Sequence, residues 1–157
     1  MSTAPDPGQK TVVSNRRARH DYEILERLEA GIALTGAEVK SLRGGRGSIA
    51  EAFGRVRGGE VWLEGMHIPP YEHQGDKTRH DPTRPRKLLL HRKQIERLIG
   101  KTAERGLALV PLRVYFSHGL AKVELGLGRG KRQFEKRQAI AEREHRREME
   151  REAGRRR

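Results

Sequence analysis

Apolar residues occur along this chain in short bursts separated by glycine, and the period changes from burst to burst. Val12 to about Gly128 carries nearly all of them. Within "FGRVRGGEVWLEGMHI", Val56 and Val61 flank Arg57-Gly58-Gly59-Glu60, so the alternation predicts a hairpin whose glycines supply the positive φ of a tight turn. "LALVPLRVYFSHGLAKVELGLG" predicts a second hairpin bending at Ser117-His118-Gly119. In its second arm Leu120, Lys122 and Glu124 face one way, while Ala121, Val123 and Leu125 face the other. Pro111 cannot donate to a ladder and marks an edge or a bulge. "DYEILERL" sets Tyr22 and Ile24 on one strand face, and a turn is expected at Glu29-Ala30-Gly31 before "GIALTG".

Two stretches carry helical marks. Thr35-Gly36-Ala37-Glu38 reads as a capping box, opening a helix "AEVKSLR" that stops at Gly44-Gly45. "HRKQIERLIG" places Ile95, Leu98 and Ile99 on one face and ends at Gly100. Many short strands with two or three short helices predict a mainly β fold, a small β-barrel of oligonucleotide-binding type, over residues 12–128. Residues 1–11, with two prolines and no apolar period, are expected to be disordered.

Past residue 128 the apolar pattern stops. From Arg129 onward there are twelve Lys/Arg and six Glu, and Phe134, Ile140 and Met149 are too few for a core-facing stripe. Glu142 with Arg146, Glu144 with Arg147, and Glu148 with Arg151 have helical spacing, each pair being worth a few tenths of a kcal/mol. Residues 129–157 are therefore expected to be a basic tail, disordered in isolation and helical once a partner neutralises it.

Charge narrows the partner class. The 157 residues hold 34 Lys and Arg against 21 acids, a net +13. Such an excess concentrates polyanions and puts nucleic acid ahead of other partners, a plain solvated basic surface being the alternative. Cysteine is absent, so disulfides, thiolate nucleophiles and cysteine-based zinc sites are excluded. No apolar run reaches the length of a membrane span and no apolar leader opens the chain, so a cytoplasmic protein without membrane contact is expected.

Candidate chemistry is thin. Glu38-Val39-Lys40 fits half of a metal-dependent nuclease site and would need Asp21 or Glu51 as a further carboxylate, yet the match is short and Glu38 already has a capping role. His73, Asp76, His80 and Asp81 lack tight metal-ligand spacing. Gly126, Gly128 and Gly130 echo a phosphate loop without the helix-opening Lys-Ser/Thr context. No enzyme activity, metal or cofactor is expected. Basic clusters are denser: Arg16, Arg17, Arg19 and His20 after Asn15; Lys40, Arg43 and Arg46 around the first helix's end; Arg84, Arg86 and Lys87 on a proline-stiffened loop, followed by His91, Arg92 and Lys93. With only 4% aromatic residues, recognition of a folded RNA through phosphates and 2′-hydroxyls is favoured over stacking along a bare strand.

The blocks "NRRARHDYEI", "EAGIALTGAEVKSLR", "DPTRPRKLLLH", "VPLRVYF", "KVELGLGRGK" and "GKRQFEKR", in this order, resemble the SmpB family of SsrA-binding proteins over about Asn15 to Arg137. The resemblance implies a bacterial trans-translation factor, a monomer that grips the tRNA-like domain of tmRNA and helps deliver it to stalled ribosomes. It also implies that the tail folds into a helix in the vacated mRNA channel near the decoding centre, against small-subunit RNA. Carried over by position, Asn15, His20, Glu29, Leu89, His91 and Lys122 fall at tmRNA contacts. Gly130, Lys131, Arg132, Lys136 and Arg137 match the tail block. There Phe134 stands where relatives have His or Tyr, and Glu135 where they have Asp; a phenylalanine ring can stack but cannot donate. A general RNA-binding or ribosome-assembly protein with a basic arm is the alternative.

Overall fold

A computed structural model describes residues 8–71, 81–104, 106–131 and 133–155, the side chains of 133–142 and 155 excepted. The elements in chain order are β1 (Gln9–Ser14), α1 (Arg16–Asp21), β2 (Tyr22–Ile32), α2 (Gly36–Arg43), β3 (Phe53–Arg57), β4 (Glu60–Glu64), β5 (Arg86–Leu89), α3 (Arg92–Thr102), β6 (Leu107–Ser117), β7 (Leu120–Gly130) and α4 (Gln133–Arg155).

The fold is mainly β: among the described residues, seven antiparallel strands lie in the order β1-β6-β3-β4-β5-β2-β7, with β7 also pairing to β6. The pairings thus run in a circuit from β6 through β3, β4, β5, β2 and β7 back to β6, and β1 attaches outside it. Both expected hairpins are present, turning at Gly58 (φ 61°) and Gly59 (φ 74°), and at His118 (φ 50°) and Gly119 (φ 80°). Beside Pro111 the β6–β7 register shifts before Arg113, the bulge its missing N–H calls for. One apolar core fills the sheet's inner face. Val61, Leu63, Leu88, Val114, Val123 and Leu125 are fully buried there, and α3 adds Ile95 and Leu98. A smaller cluster joins Ala18, Val110 and Leu112, with Tyr22 and Ile24 against it.

Several expectations are corrected. The turn at Glu29-Ala30-Gly31 does not exist: β2 continues to Ile32, because those residues pair across to Glu124, Val123 and Lys122 of β7. β1 begins at Gln9, inside the segment expected to be disordered, held by pairing to Ser117 and Phe116; residues 1–7 lie outside the described residues. β7 ends at Gly130, two residues beyond the expected boundary, so Gly130 is a sheet residue paired with Tyr22. α3 runs on to Thr102, whose hydroxyl donates to Leu98 O at 2.7 Å, and Ile99 on its supposed apolar face is 41% exposed. Gln133–Arg155 is one helix where a tail disordered in isolation was expected; its residues from Arg143 to Gly154 are all exposed, in keeping with the lack of an apolar stripe.

Candidate nucleic-acid interface

Strand register assembles the central site. Gly31 of β2 pairs with Leu89 of β5 on one side and with Lys122 of β7 on the other. Opposed residues of antiparallel strands share a face, and Glu29 lies two residues earlier on the same strand. Glu29, Leu89 and Lys122 therefore meet on one outward face although 93 positions separate the first from the last. Gly31 makes the room: a Cβ there would lie 3.2 Å from the Leu89 Cβ, and the leucine is left 55% exposed. His91 follows β5 as the N-cap of α3, with Gln94 reaching back to accept its backbone N–H at 3.0 Å. These four residues, with Lys87 and Arg92, line one groove of about 940 Å³ between β2, β5 and α3.

Glu29 is oriented from beneath. The buried Tyr115 hydroxyl donates to one of its oxygens, and the Lys122 ammonium stands 3.8 Å from the other. Burial first, then the adjacent carboxylate, push the Tyr115 phenol well above its ordinary range, so it stays a donor. Glu29 is itself about half exposed, with acceptor capacity left toward the groove. A carboxylate so placed can accept from a base amino group, while Leu89 offers apolar contact and Lys87 and Lys122 offer phosphate contacts.

Arg16, Arg17, Arg19 and His20 are exposed on α1, an element that the sequence reading missed. Asn15, expected to touch RNA, is instead a structural cap and only 8% exposed. Its Oδ1 accepts from Ala18 N–H at 3.2 Å, and its amide donates to Pro111 O at 2.9 Å and Ile49 O at 3.3 Å. The first bond caps α1, the second ties it to β6 and the third to the segment before β3. Arg17 pairs with Glu51 at 2.9 Å with both side chains largely exposed, so it remains available to a stronger anion.

Arg86 corrects a further expectation. It is fully buried, its Nε donating to Glu38 at 2.8 Å and its Nη1 to Met66 O at 2.6 Å, so it cannot reach RNA. Arg84, partly exposed, also binds Glu38 and contributes an Nε bond of 3.1 Å. The same carboxylate accepts from Thr35 N–H at 2.9 Å, completing the capping box. Burial pushes the Glu38 carboxyl up, but Arg84, Thr35 and Arg86 more than offset it and hold it at about 2. A carboxylate 1% exposed and held by two guanidinium groups is no magnesium ligand, and the Glu38-Val39-Lys40 nuclease reading falls. Lys40 and Arg43 sit on the opposite, exposed side of α2, the former 5.7 Å from the Tyr71 ring centre and the latter 4.5 Å from that of Phe116.

Gly126, Gly128 and Gly130 belong to β7, in ladder register with β2, and form no phosphate loop. His73, Asp76 and His80 lie outside the described residues, as do Arg132 and the side chains of Phe134, Lys136 and Arg137. Lys131 is exposed, and its N–H donates to Asp21 O at 2.9 Å, fixing the point where the tail leaves the sheet. Among the described residues no helix is long and apolar enough to cross a membrane.

The family model described as SmpB protein matches residues 12–155. An SsrA-binding protein of Salinispora arenicola is 61% identical over 151 residues, 96% of this chain and 94% of that one. One from Mycobacterium leprae is 57% identical over 156 residues, 99% and 97% of the two chains. A solved chain described as "tmRNA-SmpB: a journey to the center of the bacterial ribosome" aligns with a TM-score of 0.66 at 53% identity, covering 81% of this chain and 92% of its own. Sheet, groove and arm thus define a small antiparallel β protein with a basic outer face and a basic C-terminal helix. It belongs to the SmpB family.

Proposed function

We propose that the protein binds the tRNA-like domain of tmRNA through the groove between β2, β5 and α3, and delivers that RNA to stalled ribosomes for trans-translation. The observation that carries this reading is the convergence of Glu29, Leu89, His91 and Lys122, drawn from three strands and a helix cap, on one groove. The circuit of strands is then a barrel of oligonucleotide-binding type, which such a groove on its outer face suits. Arg16, Arg17, Arg19 and His20 supply phosphate contacts from the separate α1 patch, and Lys40 and Arg43 supply them from α2. The C-terminal tail, helical from Gln133, occupies the vacant mRNA channel near the decoding centre. There Lys131, Arg132, Lys136 and Arg137 meet ribosomal RNA phosphates and the Phe134 ring stacks on a base.

The test separates the two halves. A chain ending at Lys131 should bind a transcript of the tRNA-like domain with unchanged affinity and lose tagging of stalled peptides. A tenfold excess of bulk tRNA should not displace that transcript. Displacement by bulk tRNA would show a general RNA-binding protein instead, and loss of transcript binding on truncation would overturn the division between sheet and tail.

A further inference from the structure

The groove and the α1 patch are separate on the surface, and the outer face of the β3–β4 hairpin lies between them. Phe53, Arg55 and Arg57 are all exposed on that face, at alternate positions of β3. Phe53, 45% exposed, lines the same cleft as Arg17 and His20 of α1. One row further on, Arg55 pairs across to Trp62 of β4, and Trp62 pairs across to Lys87 of β5, which already lines the groove. A continuous strip therefore runs from α1 through Phe53, Arg55 and Trp62 to Lys87.

Its chemistry suits a nucleic-acid strand. Trp62 is half-buried, with its indole N–H tied to Arg57 O at 3.3 Å, and the Arg57 guanidinium is layered over the ring at 5.3 Å from its centre. A planar cation on an indole is a platform that a base can extend by stacking. The carboxylates on the strip hold its cations loosely: Glu64 stands 3.7 Å from Arg55 and 3.9 Å from Arg57, and Glu60 stands 3.8 Å from Lys87. Pairs this long between partly exposed groups contribute little and exchange readily for phosphate.

We infer that the outer face of the β3–β4 hairpin is a further RNA contact, on which a strand leaving the groove stacks a base at Arg57–Trp62 and sets phosphates on Arg55 and Lys87 as it passes toward α1. The inference rests on the RNA-binding reading above. Trp62 is the chain's single tryptophan, so its emission reports on this face alone.

The experiment titrates the full chain with a transcript of the tRNA-like domain, following tryptophan emission and the anisotropy of end-labelled RNA together. Emission is expected to change with the same midpoint as anisotropy. Trp62→Ser should weaken binding roughly tenfold, as loss of one stacked base does. Arg55→Ser with Arg57→Ser should lower the slope of log affinity against log salt by about 1 per guanidinium removed. Unaltered emission at saturation, with both variants binding like the parent and melting at the parent's temperature, overturns this contact and leaves the groove reading standing. A flat anisotropy trace overturns both.

Discussion

Glu29 and Glu38 are nine positions apart, and each holds a nearby cation and a nearby donor, yet they do opposite things. Glu38 is sealed between α2 and β5, where two guanidinium groups and a backbone N–H consume its lone pairs. Glu29 stands at a groove, fixed by one buried hydroxyl, with a lysine at a distance too long for a hydrogen bond. The first is enclosed by fixed partners, whereas the second keeps about half of its side chain open to solvent. Enclosure leaves Glu38 no acceptor capacity for a ligand, while half-exposure leaves Glu29 some.

The largest effect expected from breaking this contrast is on stability. Glu38→Gln leaves the fully buried Arg86 charge without its counter-charge and should cost roughly 3–5 kcal/mol, seen as a large fall in the melting temperature. The same pair sets acid lability. The folded carboxyl is held at about 2 against an ordinary 4.5, so its contribution is complete above about 4.5 and is lost as pH falls toward 2. Parent protein should destabilise across that window by roughly 3 kcal/mol more than the Gln variant does, measured by urea unfolding. A flat response in the parent would show that Glu38 is not the ionised partner of Arg86.

The groove should respond in the other currency. Glu29→Gln still accepts from the Tyr115 hydroxyl, so the melting temperature should hold while transcript affinity falls roughly tenfold, as does His91→Ala. Glu29→Ala is a poorer probe, because it strands a buried phenol at a cost of about 1–3 kcal/mol. If Glu29→Gln binds normally, the carboxylate is not reading the RNA. Smallest of all is Arg17→Ala. Its exposed pair with Glu51 should be worth under about 0.5 kcal/mol in urea unfolding, while the salt slope of RNA binding falls by about 1.

What was legible in the sequence follows from which forces act locally. The two hairpins, the capping box and the Pro111 bulge all arise from residues within a few positions of one another, and all are present. β5 was missed because "RKLL" has no period of its own; its strand character comes from β4 and β2 on either side. β2 was broken at Gly31 because the glycine looked like a turn, whereas it clears space for Leu89. At the site, charge marked Arg84, Arg86, Arg16 and Arg17 alike, and only packing distinguishes the buried Arg86 from the rest. Asn15 before a basic run carried a readable N-cap cue for α1, but without an apolar stripe behind it the cue did not stand out.

The circuit of strands also imposes a schedule. β1 takes its partners from Phe116 and Ser117, and β2 lies along β7 as far as Gly130, so both early strands wait for the last ones. At synthesis rates of about 5–20 residues per second, the hundred or so residues between β1 and its partner take roughly 5–20 seconds to appear. Throughout that interval Val13 lacks its partner Val114, and the circuit cannot close. A chain halted before β7 is complete is thus left with an open sheet edge, a state prone to capture by other strands. The order of the strands makes completion of β7, rather than of the tail beyond it, the condition for closing the sheet.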